Sequence, residues 1–170
     1  MNNTERPMPP LDADERSVLE GWLDFHRATL ARKCEGLDDT QAATATVAPS
    51  ELTLTGLVQH MAEVERTWFR RILAAEELAT THTEQARTDG TDGGFELAEH
   101  ATLHDALNTW RTEVEHARRS CREHSLTDTG DLGGQHVNLR WIYVHMIEEY
   151  ARHNGHADLL RERLDGTTGI

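Results

Sequence analysis

The stretch 139–164, LRWIYVHMIEEYARHNGHADLLRERL, holds the residues best suited to chemistry. At about 100° per residue around a helix axis, Trp141, Ile142, Leu160 and Leu164 are expected on one buried face. Glu149 and His153 fall in the middle of that face, one turn apart, and His145 and His156 lie close by. Ionisable groups thus interrupt an apolar stripe. A carboxylate in a helical core is costly unless it is paired or coordinated. A carboxylate and an imidazole at i and i+4 point the same way and can grip one cation. A structural Glu–His hydrogen bond in a wet groove fits the same spacing, so this segment alone leaves both readings open.

A further donor stands on another segment. His60 lies beside the stripe of Leu57, Met61, Val64, Trp68 and Ile72. A lone histidine at such an edge is usually a satisfied boundary residue. Facing a Glu–His pair, it becomes a credible third ligand. Two imidazoles and one carboxylate leave a coordination position open for water or substrate, which is a catalytic rather than a closed structural arrangement.

Four helices would carry these residues. Leu19, Leu23, His26 and Leu30 recur at spacings of three and four over about 12–36, with Gly36 as the stop. Residues 37–50 read as a connection. A second helix is expected over about 53–78, capped by Thr53 or Ser50. The polar, glycine-rich stretch 81–97 is expected as an exposed loop. The third helix spans about 102–124, with Leu103, Leu107, Trp110 and Val114 inward. A polar connection, TDTGDLGGQH, precedes the fourth helix, which Gly166 ends. No strand-type alternation of useful length is apparent. Long amphipathic helices joined in this way predict an all-α bundle. Residues 1–11 hold all but one of the prolines and read as a flexible arm, leaving 12–166 as a single helical domain.

Composition narrows the function. The 170 residues suffice for one domain with its own core. The net charge of −13 disfavours nucleic acid as a partner. No apolar run approaches the ~20 residues of a membrane span, and the first residues lack a signal peptide's apolar core. A cytoplasmic protein without a membrane partner is expected. Cys34 and Cys121 are far apart, form no CxxC pair, and read as apolar fillers or free thiols. Of the eleven histidines, His82, His100, His104, His116, His124 and His136 are expected at the surface.

The blocks LTLTGLVQHMAEVERTWFRRIL at 52–73 and WIYVHMIEEYARHNGHADLLRERLDG at 141–166, with the opening LEGWLDFHRATLARKCEGLDD, carry a resemblance. The chain resembles the DinB-like four-helix bundles, specifically their actinobacterial mycothiol-dependent S-transferase branch. The resemblance implies an up-down-down-up bundle of the DinB/YfiT-like metalloenzyme fold. By position it implies His60, Glu149 and His153 as metal ligands. Many relatives have histidine at both fourth-helix positions. Glu149 is similar instead to the mycothiol-dependent isomerases, which add a C-terminal domain; the end at Ile170 leads us to expect no isomerase activity. His156 and His145, one turn beyond the pair on either side, are expected in the second shell, as substrate contacts or as replacement ligands. His26 reads as structural or pocket-lining.

The expected reaction is metal-assisted transfer of a low-molecular-weight thiol, mycothiol, to a small electrophile in stress or detoxification. His156 is the candidate for moving a proton. Zinc suits the ligands and thiolate chemistry; Ni, Mn and Fe(II) suit the same set. The alternatives are a metal-dependent hydrolase and a non-catalytic, stress-linked bundle acting by dimerisation. The sequence leaves homodimerisation open.

Overall fold

The structure is a computed structural model and describes residues 6–79, 81, 95–97 and 100–169. The chain is mostly helical. Helix α1 covers Glu15–Lys33, and its Asp14 cap accepts from the Ser17 amide. A four-residue helix, α2, Asp39–Ala42, lies inside the stretch read as a plain connection; Asp38 and Gln41 form a capping box there. Thr53 caps α3, Leu54–Glu65, which continues as a π-helix over Arg66–Leu73. Helix α4 is Leu103–Glu123, and α5 is Leu139–Asp165, closed by left-handed Gly166. No helix among the described residues is long and apolar enough to cross a membrane.

Two boundaries differ from the sequence reading. The second helix ends at Leu73 rather than near residue 78, because the chain turns through Ala75 at a positive φ of 53°. The connection before α5 is a β-hairpin, with β1 Thr129–Leu132 antiparallel to β2 Gln135–Asn138. Gly133 and Gly134 both take positive φ, as a tight hairpin turn requires. Four-residue strands are too short to leave a legible alternation. Gly130 lies so close to the end of the π-helix that a Cβ would come within 2.1 Å of the Ile72 carbonyl oxygen.

α1 packs along α5 and α3 along α4, with further contact between α3 and α5. Leu23 and Leu30, Leu57 and Met61, Trp110 and Val114, and Ile142, Met146 and Leu160 bury their side chains between the helices. Leu19, Leu107 and Leu164 are only partly buried at its margin. Residues 6–11 lie along α1, where Pro9 is buried and Arg6 sits over the Phe25 ring.

One polar network runs through the core. Glu65 of α3, fully buried, receives Arg27 Nε and Nη2 from α1, each at 2.7 Å. The Tyr150 hydroxyl of α5 donates to Glu65 Oε1 at 2.6 Å and accepts from Trp110 Nε1 of α4 at 2.7 Å. Four helices therefore meet at one satisfied carboxylate. The charge is tolerated because its oxygens are paired and hydrogen-bonded.

Candidate functional site

Helices α3 and α5 set the site on one flank of their contact. His60 comes from the first half of α3, and Glu149 and His153 from the middle of α5. One ligand-type atom from each of the three lies within 4.8 Å of the other two. His153 Nε2 is 3.3 Å from Glu149 Oε2. The His60 and His153 rings meet edge to face, 4.7 Å between centroids. The donor set and its spacing fit a divalent cation: neutral imidazoles and one carboxylate converging from two helices.

The three residues border an open groove of about 630 Å³, lined also by Ser50, Leu52, Val64, Trp68, Phe95, His145, Arg152 and His156. The His153 side chain is 7% exposed and that of Glu149 17%, so the pair faces a groove rather than the sealed core. Burial pushes the His153 imidazole below its ordinary range, partly countered by Glu149. This favours the neutral form that can ligate. Burial depresses His145 in the same way, again opposed by Glu149.

The flanking histidines differ in their surroundings. His156 Nδ1 lies 3.4 Å from His153 Nδ1, on the side of that ring away from Glu149. His145 Nε2 is 3.7 Å from Glu149 Oε1. Its ring stacks on Trp141 at 5.1 Å and packs against Trp68 at 4.3 Å. His26 does not line this groove. It packs beside Trp22 and Phe25, and the Asn154 amide approaches it from α5. Of the histidines expected at the surface, His100, His104 and His136 are exposed. His116 and His124 are half-buried; His124 Nδ1 approaches the Ser120 carbonyl at 2.7 Å. His82 lies outside the described residues.

Trp141 requires a correction. It was expected on the buried face with Ile142, yet it is 48% exposed, whereas Ile142 is fully buried. The buried stripe runs through Ile142, Met146, His153, Ala157 and Leu160. Trp141 precedes Ile142 by about 100° of rotation, which carries its indole out to the groove rim. Phe95 likewise departs from the exposed loop expected at 81–97. It is partly buried, stacks on His60 at 4.3 Å and lies 5.6 Å from the His153 ring. As the one aromatic in a polar stretch, it was the visible signal.

Cys34 and Cys121 are free and buried. Burial pushes the Cys34 thiol up to about 12 and that of Cys121 up to about 11, so neither is a nucleophile.

Residues 18–166 match the family model described as Mycothiol-S-transferase. Among curated proteins, no significant match was found.

Proposed function

The chain belongs to the mycothiol-S-transferase family, and from that premise we propose that it is a metal-dependent enzyme transferring mycothiol to small electrophiles. We read its four long helices as the up-down-down-up bundle of DinB-like proteins, single-domain over 12–166. The observation that carries the functional reading is the convergence of His60, Glu149 and His153 at the floor of an open groove. Zinc is the cation we assign there, and the ligand set also accommodates Ni, Mn or Fe(II). When bound, such a cation supplies positive charge that favours the thiolate form of a thiol beside it.

The remaining work falls to the chain's own groups. Phe95 stacks on the His60 ring and holds it in place, while burial favours the neutral form of His153. The His153 ring turns Nδ1 toward His156 and Nε2 toward Glu149, on the ligand side. His156 borders the groove as an unligated imidazole and takes the proton that the thiol loses. The sulfur then forms a bond to the electrophilic carbon as that carbon's bond to the leaving group breaks. The leaving group departs with the electron pair. Both cysteines are buried with raised pKa values, which supports sulfur supplied by the co-substrate. We assign this chemistry a detoxifying role in the cytoplasm.

The test is consumption of monochlorobimane by the zinc-loaded protein with mycothiol. Turnover that needs both the thiol and the metal is expected. Absence of turnover with mycothiol and with other small thiols refutes the transferase assignment. Glu149→Ala is expected to lose bound zinc, and equal zinc in variant and wild type would remove Glu149 from the ligand set.

A further inference from the structure

The Glu149 carboxylate faces two ways. Its Oε2 lies 3.3 Å from His153 Nε2, while its Oε1 lies 3.7 Å from His145 Nε2. On the His145 side, Glu148 adds another carboxylate, and one ligand-type atom from each of His145, Glu148 and Glu149 lies within 4.8 Å of the other two. Two trios of donors therefore share a single residue. We propose that the groove holds two divalent cations, with Glu149 bridging them: one on His60, Glu149 and His153, the other on His145, Glu148 and Glu149. This inference rests on the metal reading above.

Three features favour it. A carboxylate has two oxygens and can bridge ions about 3.5–4 Å apart, as in two-metal sites. Only one nitrogen of an imidazole could face such a pair. His145 is also held in place. Its ring stacks on Trp141 with the planes 10° apart and packs against Trp68 of the π-helix that continues α3. The half-exposed Trp141, rotated off the buried stripe of α5, thereby gains a contact with His145. Finally, Glu148, Glu149 and an incoming thiolate would offset three of the four positive charges, so the second position adds a negative ligand where positive charge accumulates.

The two positions are unequal. The Glu148 side chain is 48% exposed and already pairs with Arg152 one turn on. A cation at the second position competes with that guanidinium, so it binds more weakly than at the first.

Zinc titration of the metal-free full chain, followed by calorimetry and by metal analysis after dialysis, tests this without any activity measurement. Two zinc ions per chain are expected, the second weaker. His145→Ala and, separately, Glu148→Ala are each expected to leave one tight ion. Glu148 is exposed on the helix, so its variant keeps the fold even if loss of the His145 ring disturbs the indoles. With Mn(II), the wild type is expected to give a spin-coupled resonance signal that both variants lose. A single ion in the wild type overturns the bridged pair and leaves the mononuclear site intact. Two ions that persist in both variants also overturn it, by placing the second ion elsewhere. No bound ion at all refutes the metal reading together with this inference.

Discussion

Removing Glu65 should be among the most damaging single changes in the protein. Glu65→Ala strips Arg27 of the carboxylate that takes two of its guanidinium nitrogens. Among the described residues, Arg27 would keep Asp24 as its ion-pair partner, at 3.0 Å, whose side chain is 43% exposed. Breaking a buried pair from one side costs about 3–5 kcal/mol, because the surviving charge stays buried. Tyr150→Phe is milder. It leaves the Trp110 indole N–H with no acceptor, at about 1–3 kcal/mol. At roughly 2–4 °C per kcal/mol for a chain of this size, Tm should fall by about 6–20 °C for the first variant and about 2–12 °C for the second. Because the two residues share one network, the double variant should fall short of the summed losses by at least ~0.5 kcal/mol. Urea unfolding at pH 7 measures all three. Tyr150 points into the core while its neighbour Glu149 faces the groove, so Tyr150→Phe should keep wild-type zinc stoichiometry at saturation. A Glu65→Ala loss below about 1 kcal/mol, or strict additivity, would show that the network is not the buried keystone its geometry implies.

Other outcomes follow from the same structure. Cys34 and Cys121, with thiols pushed up to about 12 and about 11, should react with a disulfide reagent at pH 8 more than ~100-fold slower than free cysteine, and at ordinary rates in denaturant; fast native labelling would contradict their burial. His26 is depressed by burial and by nearby Arg6, so its folded pKa lies below its unfolded value. Its contribution is therefore complete above about pH 6.5 and declines as pH falls through that value, since the unfolded chain binds the proton first. Urea midpoints from pH 7 to 5 should drop less steeply in His26→Gln than in wild type, and parallel profiles would refute this. Gly130→Ala should destabilise by more than 1 kcal/mol, because its Cβ would meet the Ile72 carbonyl at 2.1 Å. A neutral midpoint would show that the hairpin can shift away from the π-helix.

The long helices were legible because each repeats an apolar side chain every three or four residues and carries a capping residue at its start. Glu149 and His153 were legible for the complementary reason, as charges where the stripe should be apolar. The same signal was present for Arg27, between Leu23 and Leu30, and for Glu65, between Met61 and Phe69, yet it pointed to nothing until α1, α3 and α5 were seen to meet. Pairing across helices is a property of packing, and a stripe read on one helix does not supply it. Trp141 was misplaced because a one-residue error in the centre of a helical face is a rotation of about 100°. The hairpin escaped because its pairing lies in backbone hydrogen bonds over four residues, with the turn carried by Gly133 and Gly134.

These two sets of charges divide α5 between distinct tasks. Tyr150 ties the helix to the centre of the protein through Glu65, while Glu149, the preceding residue, opens onto the groove. α3 is divided in the same way. Glu65 follows His60 by five residues and turns into the core, whereas His60 turns toward Phe95 and His153. The buried network thus ties together the two helices that carry the proposed ligands, without touching His60, Glu149 or His153. Metal affinity should accordingly track the α3–α5 spacing. Substitutions at the network that preserve folding, such as Tyr150→Phe, should alter how tightly zinc is held before they alter how many ions are held. Calorimetric titration separates the two quantities. A variant that lost an ion while keeping its affinity for the remainder would show that the core network and the groove are not divided in this way.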